Sequence, residues 1–433
     1  MLNPIQTMAT PHTNLNLRLS VMMFFQFFIW GGFFVTMGSY LLEAFKGTEG
    51  INSIIGSAYA THNWAGLLAP LFVGLIADRY INAEKVNAFC HLVGAGLLWY
   101  AAQLTDPGTF IWVMFAYFML FMPTLALVNA IAFANIENPD KQFPAIRVWG
   151  TIGWIVAGLV VAQTVLGWVD IPLIKMLTGV ENAQATNIPL KMCAIMSLIY
   201  GLYSFTLPAA PPQAKGQAFS FSKALGLDAI KLMGERNFGI FALCSFLICI
   251  PLAFYYARTN DFITAMAFGE KSASFMTIGQ VSEVLFMLLV PFFIIRLGVK
   301  WMLLVGMLAW TLRYFLFASF PESSALLIMG IALHGICYDF FFVTGQLYVD
   351  RKAPKDIRAS AQGLFALLTY GAGMLIGNYI LGWWGDRIQL DGSSTAGWLQ
   401  GAFTFWIMPS SIALGVAILF FFTFWEKKDE IKA

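Results

Sequence analysis

Charged residues are scarce in this sequence. Asp, Glu, Lys and Arg make up only 11% of its 433 residues, whereas they make up about a quarter of a typical soluble domain. So few charges cannot solvate the surface of a globule of this size, which excludes an ordinary soluble protein. The formal net charge is +2 and no basic tract stands out, so we expect no nucleic-acid partner.

Cysteine is also rare, and the five residues show no spacing typical of metal ligands. All lie in apolar runs, so we interpret them as small hydrophobic residues and expect no disulfide framework, metal site or cofactor. They are Cys90, Cys193, Cys244, Cys249 and Cys337. Residues 1–15 lack the charged segment, short apolar segment and cleavage site of a signal peptide, so the first apolar run is expected to be a retained helix.

Long apolar runs are what the sequence has in abundance. They extend over roughly 18 to 26 residues, enough for a helix to cross about 30 Å of hydrocarbon. The sequence therefore predicts an all-α integral membrane protein with twelve transmembrane helices. The predicted spans are 17–42, 51–77, 86–104, 110–136, 146–168, 190–207, 238–263, 274–295, 301–320, 325–349, 359–384 and 398–425.

Lys and Arg are concentrated in the loops on one side of these spans, which predicts that both termini are cytoplasmic. The longest cytoplasmic segment is Pro-rich at its start and then mixes apolar and basic residues, as an interfacial helix does. The predicted parts are a cytoplasmic segment (1–16), a six-helix half (17–207), a linker with this interfacial helix (208–237), a second six-helix half (238–425) and a cytoplasmic tail (426–433).

Two six-helix halves joined by a linker are the layout of the major facilitator superfamily, whose binding site lies between the halves at mid-membrane. At the end of the second span, Gly74, Asp78 and Arg79 resemble the gating motif of that superfamily. Asp78 is expected to face the positive end of a neighbouring helix. The alternative interpretation is an ordinary charged turn.

Ionisable residues inside the spans are the strongest functional signal, because each costs a few kcal/mol or more in lipid. For Arg258 and Asp261, which lie near the end of the seventh span, an ion pair or snorkelling is an alternative to a functional role. Arg313 and His62 are ambiguous. Glu283 lies mid-span and is too deep to snorkel. The same holds for Asp339.

Helical spacing places further polar and aromatic residues near these carboxylates. Gln280 shares a helical face with Glu283. On the fifth span, Arg147, Thr151 and Trp154 are four and seven residues apart and form one stripe. The candidate substrate-binding residues are Gln26, Trp30, Asn129, Arg147, Thr151, Trp154, Tyr256, Asn260, Gln280, Glu283, His334, Tyr338 and Asp339.

The chemistry available to these side chains is limited. A carboxyl group deep in a membrane takes up a proton readily because it loses solvation, and a nearby arginine opposes this. Such a group can take or release a proton as its neighbours change, which proton-coupled transport requires. Amides, hydroxyls and carboxylates bind a solute with many hydroxyls and ring nitrogens, and aromatic faces stack on flat rings.

At these residues the chain resembles the bacterial nucleoside:proton symporter family of the major facilitator superfamily. The resemblance extends over nearly the whole chain. It is carried by Gln26-Phe-Phe-Ile-Trp30-Gly31, Thr36-Met-Gly38-Ser39-Tyr40, Met122-Pro123-Thr124-Leu125 with Asn129, Phe143-Pro144-Ala-Ile-Arg147-Val-Trp149-Gly150-Thr151-Ile-Gly153, Gly226-Leu-Asp228-Ala229, Gln280-Val-Ser282-Glu283, Tyr338-Asp339-Phe340-Phe341 and Ile357-Arg358-Ala-Ser360-Ala-Gln362-Gly363.

The resemblance implies a nucleoside importer driven by the proton gradient, in the bacterial inner membrane and expected to act as a monomer. It implies that Arg147, Thr151, Gln280, Glu283 and Asp339 line the nucleoside site, with aromatic residues at Trp154 and Tyr338. Glu283 and Asp339 are the candidates for ribose binding and for proton coupling.

The sequence departs from the family at three positions. Family members carry a Gln and an Asn where Ala253 and Tyr256 stand here, and a Tyr where His334 stands. These exchanges change what the site can hydrogen-bond, so a symporter or uniporter for another polyhydroxylated solute, such as a sugar or modified nucleoside, stays open. A membrane enzyme using His334 with Asp339 is disfavoured, because no nucleophile motif, metal cluster or phosphate loop accompanies them.

Overall fold

The computed structural model describes residues 12–77, 79–212, 215, 220–355 and 357–425. The described chain is almost entirely helical. Its first part forms α1 (His12–Phe34), α2 (Met37–Ala44), α3 (Ile51–Phe72), α4 (Ala83–Ala101), α5 (Pro107–Asn135), α6 (Pro139–Ala162), α7 (Leu173–Thr178) and α8 (Ile188–Ser204). Its second part forms α9 (Phe221–Ala224), α10 (Arg236–Ile263), α11 (Ser272–Ser319), α12 (Ser324–Ala332), α13 (His334–Tyr338), α14 (Thr344–Lys352), α15 (Arg358–Ala366), α16 (Met374–Arg387) and α17 (Thr395–Thr423). We call α1–α8 the N-terminal half and α10–α17 the C-terminal half.

Shorter turns connect or interrupt these helices. There are 3₁₀ turns at Leu227–Gly234 and Gly269–Lys271, and wider π-helical turns at Val73–Ala77, Thr264–Phe268, Asp339–Val343 and Leu367–Gly373. A π turn holds one extra residue per turn and is often found at functional sites. Two of the four lie in the C-terminal half beside the cavity described below.

Each predicted span overlaps a helix, although the fifth continues beyond the end of its helix. The helix α11 contains two predicted spans and is broken between them at Gly298, whose φ of 72° requires a glycine. Among the described residues, eight continuous helical stretches are able to cross a membrane by length and composition alone, and one of these, Arg236–Ser319, contains three predicted spans. The number of crossings and the side on which the termini lie stay predictions.

Local chemistry fixes several helix ends. Asp106 caps α5 by accepting a hydrogen bond from the backbone N–H of Thr109 at 2.6 Å. The Thr109 hydroxyl also donates to Asp106, and these hydrogen bonds hold the pKa of the carboxyl below its ordinary value. At the start of α17, Ser394 accepts a hydrogen bond from Gly397 N at 3.0 Å.

The predicted end of the fifth span was wrong. The sequence placed it at Trp168, but α6 ends at Ala162 because Gln163 adopts a left-handed conformation with φ 57°. The chain then forms a small antiparallel hairpin, β1 (Thr164–Val165) with β2 (Val169–Asp170). The apolar composition of this hairpin resembles that of a continuing membrane helix, which explains the error.

The linker contains the short helix α9 and the 3₁₀ turn Leu227–Gly234. Within that turn, Ala229 and Leu232 are buried, whereas Ile230 and Met233 are exposed. This two-sided distribution agrees with the predicted interfacial segment, but its position at a membrane surface stays a prediction. Phe219 of the linker lies outside the described residues, as do the first residues of the N-terminal segment and all of the tail.

The two halves contact each other where α6 packs on α11 and, more extensively, where α3 approaches α16. Gly56 of α3 and Gly382 of α16 make this approach possible. A Cβ built on Gly382 would lie 2.8 Å from the Cα of Ser53, and one on Gly56 would collide with the carbonyl oxygen of Asn378. Small residues at crossings of this kind allow membrane helices to pack backbone to backbone.

Candidate functional site

A central cavity lies between the two halves. Its walls come from α1, α3 and α6 on one side and from α10, α11, α13, the π turn Leu367–Gly373 and α16 on the other. The lining residues are Phe27, Trp30, Phe34, His62, Arg147, Thr151, Trp154, Tyr256, Gln280, Glu283, His334, Tyr338, Tyr370 and Met374. Its volume is about 110 Å³.

A second cavity of about 410 Å³ adjoins the central one and shares Arg147, Tyr338 and Tyr370 with it. It reaches Leu225 of the linker and Gly363 of α15, so we call this end of the bundle the linker end. Together the two cavities fall within the range of about 300–1,000 Å³ that small-molecule sites usually have.

The N-terminal half supplies an aromatic wall centred on Trp30. Its ring lies 5.4 Å from His62 in a stacked arrangement and 5.3 Å from Trp154, edge to face. Gly31 allows this, because a Cβ at that position would lie 2.8 Å from the Trp154 side chain. The sequence therefore places flat apolar faces on one side of the cavity.

Arg147 of α6 adds a positive charge to this aromatic wall. Its guanidinium carbon lies 4.1 Å from the centre of the Phe27 ring, a cation–π contact. Its charge interacts with Glu283 and Tyr338, which belong to the opposite half. The cation thus faces the C-terminal half across the cavity.

Glu283 of α11 supplies the carboxylate. One of its oxygens lies 3.9 Å from Nε2 of His334, and its side chain is 18% exposed to the cavity. Gly335 permits the close contact of α13 with α11, and the Ser282 hydroxyl donates to the carbonyl of Ala332 at 2.5 Å. These contacts hold the imidazole beside the carboxylate.

Two tyrosine hydroxyls complete the C-terminal wall. Tyr370 donates to Tyr338 at 2.6 Å. Tyr338 directly precedes the π turn Asp339–Val343, and Tyr370 lies inside the π turn Leu367–Gly373. The wide turns alter the helical spacing there and bring both rings to the cavity.

Asp339 is placed differently from the sequence expectation. It is fully buried and does not line either cavity, although its charge interacts with Glu283. Neither carboxylate oxygen has a hydrogen-bond partner among the described residues. Asp339 therefore lies behind the cavity wall, within electrostatic reach of Glu283.

The other candidate residues divide into three groups. Most line the central cavity: Trp30, Arg147, Thr151, Trp154, Tyr256, Gln280, Glu283, His334 and Tyr338. Asn129 lines the second cavity. Gln26 and Asn260 lie in neither: Gln26 hydrogen-bonds Thr124 at 2.7 Å and His91 at 3.1 Å, and Asn260 donates to Ser39 at 2.9 Å.

The gating motif is only partly described. Gly74 lies in the π turn Val73–Ala77, and Arg79 follows in the turn after it. Asp78 lies outside the described residues. The gating role of this motif stays a prediction.

Sequence reasoning left out several lining residues: Phe27, Phe34, Tyr370 and Met374, with His62 judged ambiguous. Phe27 and Phe34 gave no signal, because phenylalanine is abundant in every span. Tyr370 offered one, since it is a polar aromatic residue in the middle of a glycine-rich span. Within the described chain, no cluster of three or more His, Cys, Asp or Glu is placed to hold a metal ion.

At the end opposite the linker, the halves are joined by polar contacts. Asp386 of α16 accepts hydrogen bonds from the backbone N–H groups of Asn52 at 3.1 Å and Ser53 at 3.0 Å. Asn52 also donates to Leu390 O at 3.1 Å and accepts from Arg258. Arg258 pairs with Asp261 at 2.9 Å, so these two charges form a structural ion pair.

Sequence comparison places the chain among known transporters. A sequence model of the family described as Nucleoside H+ symporter matches residues 13–429. YegT of Escherichia coli (strain K12), provisionally named a nucleoside transporter, is 40% identical over 428 residues, which cover 96% of this chain and 95% of that protein. The xanthosine permease of the same organism is 34% identical over 432 residues, covering 96% and 97%.

Structural comparison agrees. The crystal structure of the nucleoside transporter NupG matches with a TM-score of 0.81 at 31% identity, covering 96% of this chain and 100% of that chain. A D-xylose-proton symporter shares the fold alone, with a TM-score of 0.67 at 15% identity over 95% and 98% of the two chains. The chain therefore belongs to the nucleoside H+ symporter family and is a multi-pass membrane transporter, not an enzyme, with the major facilitator superfamily fold.

Proposed function

We propose that this protein imports nucleosides across the bacterial inner membrane, driven by the proton gradient. One observation carries the proposal: Glu283 and Arg147 line the same cavity from opposite halves. A carboxylate inside a membrane protein is costly and marks a proton or ion pathway. When the halves move, the distance between this carboxylate and its cation changes, and so does its tendency to hold a proton.

The walls of the cavity favour a nucleoside as the cargo. A nucleobase is flat and stacks on aromatic faces such as those of Trp30 and Trp154, while ribose hydroxyls pair with carboxylates and amides such as Glu283 and Gln280. The names of the relatives, a xanthosine permease and the nucleoside transporter NupG, support this class of substrate. Asp339 is proposed to act on Glu283 through its charge and not by touching the substrate.

Transport by alternating access accounts for the asymmetry of the contacts between the halves. The cavities extend to the linker end, which is predicted to be cytoplasmic, while Asp386 and Asn52 tie the halves together at the other end. We propose that this arrangement is the inward-facing state. In the outward-facing state, the contacts of Asp386 break and the second cavity closes.

Substrate choice within this class is proposed to depend on Tyr256 and His334, which line the cavity where relatives are expected to carry Asn and Tyr. We assign no role in substrate choice to Ala253, because its side chain is buried against α16. A Cβ built on Gly377 of that helix would lie 2.8 Å from the Cβ of Ala253. A thermal-shift screen of nucleosides, bases and sugars on the purified protein tests the class. Stabilisation by nucleosides and not by sugars is expected, and the reverse result supports a different polyhydroxylated cargo.

Uptake of labelled uridine and adenosine into proteoliposomes tests the proposed function itself. Accumulation should require an inward proton gradient and collapse when a protonophore is added. If the labelled nucleoside only equilibrates across the membrane, independently of the proton gradient, the protein is a uniporter instead. Glu43→Gln is the matched control for changes at Glu283, because the Glu43 carboxylate is exposed and pairs with Lys46 at 3.7 Å on the surface.

A further inference from the structure

Arg313 is a buried cation that the proposed mechanism does not use. It lies in the part of α11 after Gly298, and its side chain is fully buried. Its Nε donates to the carbonyl of Gly330 at 2.9 Å. Across the ranges that the structure describes, no carboxylate lies within ion-pair distance of Arg313, and the titratable groups near it are tyrosines, a cysteine and His334, none of which carries a compensating charge. A charge inside a membrane protein requires a partner or a purpose.

A continuous row of contacts connects Arg313 to the cavity. Its guanidinium carbon lies 4.2 Å from the centre of the Tyr255 ring. The Tyr255 ring in turn stacks on the imidazole of His334, with centres 5.0 Å apart and planes 14° from parallel. His334 faces Glu283 at 3.9 Å. The cation is therefore two rings away from the carboxylate that lines the cavity.

All four side chains belong to the C-terminal half. Tyr255 lies on α10, Glu283 and Arg313 on the two parts of α11, and His334 on α13. A rigid movement of the halves leaves this row intact, whereas Arg147 belongs to the other half and changes its distance from Glu283. Arg313 is thus a fixed cation and Arg147 a movable one.

The groups that surround His334 decide whether it can hold a proton. They are Tyr255 and Tyr256 from α10, Glu283 and Arg313 from α11 and Tyr338 from its own helix, with Arg147 facing Glu283 from α6. Arg313 carries a permanent charge. Burial already disfavours a charged imidazole, and Arg313 adds to this by repelling a second positive charge, since interactions of buried charges are poorly screened.

We propose that Arg313 is a positioning residue for proton coupling: through the Tyr255 ring it keeps the His334 imidazole uncharged and oriented beside Glu283. The transported proton is then carried by the carboxyl group and not by the imidazole. This inference rests on the proposed proton-coupled function.

Without the Arg313 charge, the Glu283 carboxylate at 3.9 Å is the charge beside His334, and its attraction favours a protonated imidazole against the cost of burial. An ordinary imidazole gains a proton as the pH falls below about 6.5. In Arg313→Met, protonated His334 would pair with Glu283 and block proton uptake, so accumulation should fall roughly tenfold as the external pH drops from about 7.5 to 5.5. Wild-type accumulation should not fall over this range, because a larger gradient drives it. Adding His334→Gln to Arg313→Met should abolish the acid-side loss.

The experiment measures accumulation and substrate exchange against external pH in proteoliposomes, with a protonophore arm on the wild type. Insensitivity of the wild type to the protonophore would overturn the proposed function. A protonophore-sensitive wild type with an unchanged pH profile in Arg313→Met would overturn only the role of Arg313. An acid-side loss that persists in the double variant would also overturn it, since the effect would not pass through His334.

A second pair of variants covers the case in which Arg313→Met does not fold. Tyr255→Leu leaves a space between Arg313 and His334 that water can enter, which hydrates the imidazole and screens it from the Arg313 charge, so this variant should show the same acid-side loss. Tyr255→Phe keeps the ring and removes a hydroxyl that has no hydrogen-bond partner among the described residues, so it should keep the wild-type pH profile. Equal pH profiles for Tyr255→Leu and Tyr255→Phe would contradict the proposal. Arg313→Lys should retain most of the wild-type pH profile, because it retains the positive charge.

Discussion

The carboxylate of Asp386 lies at the N-terminus of α3 and accepts hydrogen bonds from the backbone of Asn52 and of its neighbour Ser53. Asp386 belongs to the C-terminal half and Asn52 to the N-terminal half. The first N–H groups of a helix have no partners within it and carry a partial positive charge, so a carboxylate there is stabilising. The helix end of one half is therefore capped by a side chain of the other.

Loss of this cap should shift the balance between conformations. An anion at a helix N-terminus contributes about 0.3–2 kcal/mol, so Asp386→Ala should raise the outward-open population several-fold. Spin labels at Glu49→Cys and Arg387→Cys, both exposed near this contact, report the distance between the halves. A larger fraction of long distances is expected, while Asp386→Asn, which keeps one acceptor oxygen, should show a smaller effect. An unchanged distance distribution in Asp386→Ala would show that this cap does not hold the two halves together.

Gly382 should not tolerate a side chain. A Cβ there would lie 2.8 Å from the Cα of Ser53, so Gly382→Val should separate α16 from α3 and lower uptake at least tenfold. Gly415→Val is the matched control, because a Cβ built at that position has, among the described residues, no neighbouring atom within 4 Å apart from its own helix backbone. Uptake by the control should stay near that of the wild type. Similar losses in both variants would mean that the close crossing is not what matters.

Arg147→Met should weaken substrate binding by at least tenfold and abolish accumulation, because the only cation lining the described central cavity is lost. Arg296→Met provides the comparison: its guanidinium also lies over a phenylalanine, 3.6 Å from the Phe292 ring, but on an exposed surface. Binding is measured by scintillation proximity and accumulation by vesicle uptake. Wild-type binding by Arg147→Met would place the substrate elsewhere.

Trp154→Ala should lower nucleoside affinity. Stacking of a base on an aromatic side chain is worth about 1–3 kcal/mol, so a loss of roughly 5- to 150-fold is expected, with Trp154→Phe less affected. Trp112→Ala removes an indole that is 71% exposed and outside both cavities, and its affinity should match the wild type. The affinities of the Trp154 and Trp112 variants are measured by competition binding with nucleosides and with free ribose. An equal loss for ribose would contradict a stacking role.

The helices could be predicted from the sequence because their apolar length is a local property. The break at Gly298 and the early end of α6 at Gln163 depend on single residues with positive φ, and apolar content does not reveal them. Residues 164–170 are therefore the place where composition gave the wrong structure.

The site was predictable where residues lie on one helical face. Arg147, Thr151 and Trp154 do reach the same cavity wall. Gln26 and Asn260 do not, because partners on other helices take up their hydrogen bonds. Asp339 was expected to line the site but lies behind its wall, whereas Tyr370 lines the site although the sequence did not point to it. Both residues lie in π turns, which change helical spacing and cannot be read from a 3.6-residue period.

The central claim, that Glu283 couples nucleoside import to proton entry, is tested most directly by proton movement itself. Proteoliposomes loaded with a pH-sensitive dye receive uridine or adenosine outside, with no imposed gradient and the membrane voltage clamped. Internal acidification on addition of nucleoside is predicted for the wild type and for Glu43→Gln, and its absence is predicted for Glu283→Gln even where exchange persists. Acidification by Glu283→Gln at the wild-type rate, or none by the wild type, would contradict the account.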